Sequence, residues 1–257
     1  FESLYNVDFK GDQVDIKCSN TLIIHVYYPN IIKTFEPYII NALICGANII
    51  VNIPDHNGQN FNLIKEYFDS FELPSRINII KSKNTGRDWG GLYKSFMTNN
   101  CGDVITFIHT KFSPHLHPIF GMLWRQRLIS PLLGTVSNYQ NNLELISRQF
   151  TTLVASDSCK IKIDNTSNKD YEKFNNIFSL KIDNSKNQST FIPGSMFMVH
   201  KDVLHEIFST LNKLTHNELN EDFNNISMKD QIGGKLPHYL ERYIFAYAEQ
   251  LNGITAI

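Results

Sequence analysis

Residues Ile77–His109 read INIIKSKNTGRDWGGLYKSFMTNNCGDVITFIH, and this stretch decides the fold. Ile77 to Ile80 form an apolar run of strand character. The Asn84-Thr85-Gly86 segment is turn chemistry. Apolar residues at helical spacing then run to about Met97, and Asp103 to His109 return to strand. The same alternation extends upstream. "TLIIHVYYP" (Thr21–Pro29) predicts a buried strand stopped by Pro29. Ile32, Phe35, Ile39, Ile40, Leu43 and Ile44 recur at helical spacing, and "ANIIVNIP" is a second strand. A short helix is expected around Phe61 to Phe71. Strands alternating with helices predict an α/β fold with a mostly parallel central sheet and helices on both faces.

Downstream, "PIFGMLWRQRLI" predicts a helix with Pro118 in its first turn and a stop near Pro131. "TTLVAS" and "FIPGSMFMVH" have strand character. Val203, Leu204, Ile207, Phe208 and Leu211 lie on one face of a helix. A last helix starts near Leu236 or Pro237 and buries Tyr239, Leu240, Tyr243, Ile244, Tyr247 and Leu251. The chain reads as a single domain over residues 1–257, with a polar lead-in (1–20) and a long polar loop at about 164–190. It begins at Phe1 with no visible signal peptide, and the expectation is a piece excised from a longer chain.

Composition excludes several classes. With 42% hydrophobic and 12% aromatic residues in 257, the chain holds enough apolar material for a sizeable core. A net charge of −1 with scattered lysines and arginines argues against a nucleic-acid partner. The four cysteines, Cys18, Cys45, Cys101 and Cys159, show no metal or disulfide spacing and read as reduced thiols of a cytosolic protein. No apolar run reaches the ~20 residues that span a bilayer.

The chemistry gathers at strand ends, where open α/β sheets bind ligands. In "NTGRDWGG", Gly86 allows a tight turn. Arg87 offers a planar fork of donors suited to phosphate. Asp88 either caps the following helix or accepts from sugar hydroxyls, and both roles are compatible. Gly90 and Gly91 would expose backbone N–H groups to an anion at a helix start. In "IHTKFSPH", His109 and Lys111 project to one side of an extended chain, where two buried cations need an anion. The plainer alternative is a hydrogen-bonded core histidine beside a surface lysine. His109, His115 and His117 lack the carboxylate or cysteine that would complete a zinc site, so no metal is expected.

Other residues stay open between roles. Tyr27 and Tyr28 either wall a planar base or simply pack, and His25 reads as a core histidine. Gly194 and Ser195 leave room for a sugar, and no nucleophile elbow surrounds Ser195. On the last helix His238, Glu241 and Arg242 share a face opposite the apolar stripe. That face is either solvated or lines a wet cleft.

"HVYYP", "NTGRDWGG", "IHTKFSPH", "WRQRLISPLLG", "FIPGSMFMVHKDVL" and "LPHYLERYIFAYAEQLNG" follow one another in the order and spacing of the rhamnan synthesis protein F family, which this chain resembles from about Thr21 to Gly253. The resemblance implies a GT-A-like nucleotide-diphospho-sugar transferase fold. It implies transfer of a sugar from a nucleotide sugar to a glycan or lipid-linked glycan acceptor of a growing cell-surface polysaccharide (O-antigen, capsule or rhamnan type). The place of work would be the cytoplasm, at the inner face of the membrane, with peripheral membrane contact or neighbouring synthase domains. No amphipathic basic helix is evident from the sequence.

In GT-A enzymes the strand that ends here in His109-Thr110-Lys111 commonly ends in Asp-x-Asp, which holds a divalent metal. The resemblance therefore implies a metal-independent enzyme with no cofactor. Lys111, His109 and Arg87 would clamp the diphosphate, with Tyr27, Asn84, Gly86 and Asp88 completing the donor site. Gly194, Ser195 and Arg242 would line the acceptor or sugar pocket. The candidate bases are Asp230, Glu241 and His238, with Glu221 and Asp222 behind them. The chain has Gly233 where the family pattern places an aspartate. That departure keeps a second reading in view, a non-catalytic glycan- or nucleotide-sugar-binding module of a polysaccharide synthase.

Overall fold

The computed structural model describes residues 18–55, 58–71, 73–112, 117–157, 160–162, 174–178, 190–213, 236–251 and 253–256. Its strands are β1 (Asn20–His25), β2 (Asn48–Pro54), β3 (Ile77–Ser82), β4 (Val104–His109), β5 (Leu153–Ala155), β6 (Ile161–Lys162), β7 (Thr190–Phe191), β8 (Phe197–His200) and β9 (Ile254–Ala256). Its helices are α1 (Glu36–Ile44), α2 (Gly58–Asp69), α3 (Arg87–Thr98), α4 (Pro118–Leu133), α5 (Val136–Ser147), α6 (Lys201–Asn212) and α7 (Leu236–Gln250).

Seven strands form one sheet in the order β3-β2-β1-β4-β8-β5-β9. β3, β2, β1 and β4 are parallel, as the strand–helix alternation requires. Only β8 is reversed, running antiparallel to both β4 and β5, while β9 is parallel to β5. The register places His25 beside Asn52 on β2 and His109 on β4, so three polar residues stand in a row at the carboxyl edge.

Every residue of β1 is buried, as is β4 up to Ile108, so both faces of the central strands are covered. α1, α4 and α5 pack on one another in one layer, and α3, α6 and α7 form the other. This two-sided cover is why β1 and β4 read as continuous apolar runs. Truncating a fully buried residue such as Leu22 to alanine would cost about 2–5 kcal/mol.

Two expectations need correction, and some elements were not foreseen. α4 does not stop at Pro131, which lies inside it. The Asn142 amide donates to the carbonyls of Pro131 (3.0 Å) and Leu132 (3.2 Å), and the Gly134 N–H reaches Ser130 O at 2.8 Å. These bonds satisfy the last turn beyond the ring and let the helix close one turn later. α5 and β9 had no sequence-based expectation. The long polar loop lies mostly outside the described residues, but Phe174 and Phe178 within it are buried against Tyr239 and Tyr243 of α7. A polar composition there conceals a piece of core.

Candidate active site at the carboxyl edge of the sheet

α3 begins from a left-handed turn. Gly86 is its N-cap at φ 72°, and Arg87, its first residue, is also left-handed at φ 54°. Holding a non-glycine residue there costs about 1–2 kcal/mol, so the surroundings must impose it. One guanidinium donor, Nη1, reaches His238 Nε2 on α7 at 2.7 Å. Asp88 is therefore not the N-cap. It lies in the first helical turn, and its side chain approaches His109, with Oδ2 3.7 Å from Nε2.

The glycines after it also act differently from expectation. The Gly90 N–H is spent on Gly86 O at 2.9 Å. A Cβ on Gly91 would lie 2.2 Å from His25 Nδ1, so this glycine exists to seat α3 directly on the His25 ring. His25 Nδ1 in turn donates to Asn52 Oδ1 at 2.8 Å, an oxygen that also accepts from Ser82 Oγ at 3.1 Å. The helix carrying Arg87 and Asp88 is thus levelled by a polar row across the ends of β1, β2 and β3.

At the end of β4, His109 Nε2 lies 2.5 Å from Gly194 O and must carry the proton as the donor. Burial, which outweighs the attraction of Asp88, lowers its pKa from 6.5 to about 4. Its surroundings therefore favour the neutral imidazole, where the sequence suggested a cation. Lys111 does not continue the strand either. Its N–H turns back to His109 O at 2.8 Å, and Nζ sits 4.6 Å from the Trp124 ring centre. Arg125 Nη1 donates to Lys111 O at 2.8 Å and fixes that turn. Thr110 joins the strand ends, its Oγ1 accepting from Tyr28 N at 2.8 Å. Tyr28 packs between Tyr27 and Phe112, so both tyrosines are partly buried and partly available at the rim.

The turn before β8 closes the site. Gly194 (φ 120°) and Ser195 (φ 49°) are both in the left-handed half of backbone space. Glu241 Oε1 on α7 accepts from Gly194 N at 2.7 Å and Ser195 Oγ at 3.3 Å. Ser195 Oγ accepts from Trp89 Nε1 at 3.2 Å. The face of α7 opposite the apolar stripe therefore points into the site, not into bulk water.

Two carboxylates here are driven apart. Burial raises Glu241, and the charge of Asp88 raises it further, against the Gly194 N–H, Arg242 and Lys111. Burial also opposes ionisation of Asp88, but His109, the Ser195 hydroxyl, His25 and Lys111 together hold it below its ordinary value. The surroundings thus favour the ionised form of Asp88 and the protonated form of Glu241.

Other candidates fall to the margin. Asn84 is exposed on the approach to α3. Arg242 Nη1 donates to His238 O at 2.8 Å, and its guanidinium covers the Phe191 ring at 4.3 Å. His238 Nε2 accepts from Arg87, so that lone pair is not available as a base. Asp230, Glu221, Asp222, Gly233 and His115 lie outside the described residues. The sequence reading missed Trp89, Asn52, Trp124 and Arg125. A polar residue inside the apolar run "IIVNIP" was the signal for Asn52, while Arg125, buried on α4, left no mark in "WRQRLI" that sets it apart from Arg127.

Among the described residues, no three His, Cys, Asp or Glu side chains are grouped so as to hold a metal ion. Within the site Asp88 approaches His109, and His109 Nε2 presents a proton to Gly194 O, not a lone pair to a metal.

Comparison with known proteins places this geometry. The family described as rhamnan synthesis protein F matches residues 7–253. By sequence, no curated protein matches. Among solved structures, mannosyltransferase PcManGT from Pyrobaculum calidifontis, in complex with GDP-Man and Mn2+, is similar with a TM-score of 0.50 at 8% identity. The match covers 96% of this chain and 59% of that one. Glycosyltransferase GlyE of Streptococcus pneumoniae TIGR4 aligns at 11% identity with a TM-score of 0.40, over 93% of this chain and 45% of that one, and carries no further argument. At such identities the likeness speaks for the fold, a GT-A-like α/β architecture.

Proposed function

Since this chain belongs to the rhamnan synthesis protein F family and has a GT-A-like fold, we propose that it transfers a sugar from a nucleotide-diphospho-sugar to a growing cell-surface glycan, without a divalent cation. The observation that supports this best is the convergence on one strand edge of two cations, Arg87 and Lys111, and two unequal carboxylates, Asp88 and Glu241.

In this reading the donor diphosphate lies over the ends of β1 and β4. Arg87 uses the donors that His238 leaves to it, and Lys111 supplies a second positive charge. Asp88, ionised, accepts from sugar hydroxyls, with Asn84 at the rim. Tyr27 and Tyr28 face the nucleoside. Glu241 takes the proton of the acceptor hydroxyl. The acceptor oxygen bonds to the anomeric carbon, the bond from that carbon to the diphosphate oxygen breaks, and its electron pair leaves on the diphosphate. Arg87 and Lys111 stabilise that developing charge. Gly194 and Ser195 hold Glu241 in place.

Release of nucleoside diphosphate from a panel of nucleotide sugars, followed with acceptor oligosaccharide and in EDTA, tests the reading. Turnover that survives EDTA and is lost in Glu241→Gln supports it. Donor binding with no turnover under any condition would instead favour the binding-module reading, which Gly233 recommends.

A further inference from the structure

We propose that Trp89 and Ser195 are positioning residues for the sugar half of the donor, aligning the Asp88 carboxylate that would receive the sugar's hydroxyls. The inference rests on the transfer reading above for its ligand. It goes beyond that reading in naming the groups that decide how Asp88 is presented.

Trp89 follows Asp88 in the first turn of α3 and is buried, its ring centre 6.0 Å from that of Phe197 on β8. Core packing accounts for the ring but not for the indole N–H, a polar group that a buried phenylalanine would not have to satisfy. That N–H donates to Ser195 Oγ at 3.2 Å. Ser195 is itself buried and holds φ 49°, a conformation in which glycine would be less strained. What serine adds over glycine at this turn is the hydroxyl.

That hydroxyl has one proton to give. Trp89 occupies a lone pair of Oγ, so the proton is left for a carboxylate, and two are in reach. Glu241 Oε1 lies 3.3 Å away, beyond the usual O–H···O range, and already accepts from Gly194 N at 2.7 Å. The other bond from Ser195 goes to Asp88, where it supports the ionised carboxylate alongside His109, His25 and Lys111. The proton therefore serves Asp88 first. The Asp88 side chain keeps 19% exposure, so part of the carboxylate stays open to a ligand while Ser195 fixes the rest. A carboxylate aligned in this way accepts from sugar hydroxyls in one geometry. The diphosphate, held by Arg87 and Lys111, would not depend on it.

The test is titration calorimetry of UDP, GDP and dTDP, each against its hexose or deoxyhexose conjugate, on the purified chain. Ser195→Ala and Ser195→Gly should each weaken binding of the conjugate about tenfold and leave the free diphosphate unchanged. Glycine accepts the left-handed turn, so a loss common to both variants belongs to the hydroxyl and not to the backbone. Trp89→Phe keeps a buried ring and should weaken the conjugate about threefold. Added to Ser195→Ala, it should cause no further loss. Variants that lose conjugate and diphosphate together, or neither, overturn this proposal while the transfer reading stands. An additive loss in the double variant overturns it as well. A wild type that binds none of the conjugates overturns the transfer reading and this inference with it.

Discussion

Gly91→Ala should destabilise the protein although alanine is the better helix former. The added Cβ would stand 2.2 Å from His25 Nδ1 and 2.8 Å from two ring carbons, where ordinary contact begins near 3.4 Å. The ring must retreat by about 1 Å, and its Nδ1 is held by Asn52 Oδ1 at 2.8 Å. Overpacking of this kind costs about 1–3 kcal/mol, and a strained buried hydrogen bond adds about 1 kcal/mol. Helix propensity returns about 1 kcal/mol. The net loss is about 1–3 kcal/mol, a fall in Tm of about 3–10 °C for a chain of this size. Calorimetry and urea unfolding measure it. In a His25→Ala background the obstacle is gone, and Gly91→Ala should become neutral or stabilising, a change of sign that a double-mutant cycle reads directly. A rise in Tm for Gly91→Ala in the wild-type background would refute the claim that α3 rests on His25.

Three further outcomes follow from the same geometry. Arg87→Gly and Arg87→Ala should both lose nucleotide affinity, but the glycine variant should be more stable by about 1 kcal/mol in urea unfolding, because only it relaxes the left-handed φ of 54°. Equal stabilities would mean the backbone there is not under strain. Glu241→Gln should keep donor affinity and lose turnover. Glu241 has a raised folded pKa, so folding is penalised as pH rises above the ordinary carboxylate value of 4.5. The glutamine variant should accordingly gain Tm at neutral pH, and the gain should shrink as pH falls through that window. A gain independent of pH contradicts the burial of an ionisable group. His109 has a folded pKa depressed from 6.5 to about 4, so its contribution to stability is present above 6.5 and is lost as pH falls toward 4. His109→Gln should flatten that limb of the stability profile, and an unchanged limb would show that another group carries it.

The strand–helix alternation was legible because β1, β2 and β4 are buried on both faces and so write uninterrupted apolar runs. α5 was not, because its buried apolar residues, Tyr139, Leu143 and Ile146, are diluted by asparagines, one of which (Asn142) is itself buried for hydrogen bonding. β9 is only three residues long and exists through pairing with β5, a partner far away in sequence. The site was legible in its residue types but not in their roles. "HTK" looks like a cationic pair until the fold buries His109 against the Gly194 turn, 85 residues away, and burial lowers its pKa. Asp88 looks like a cap until Gly86 proves to be left-handed. Trp89 looks like core, which it is at 1% exposure, while its indole N–H reaches Ser195.

The most direct test of a metal-free diphosphate site is titration calorimetry of nucleoside diphosphates and their sugars into the purified chain, in EDTA and then in manganese. One nucleotide class should bind equally in both, with affinity lost in Arg87→Ala and Lys111→Ala. Binding that appears only with manganese, or that survives both substitutions, would contradict it.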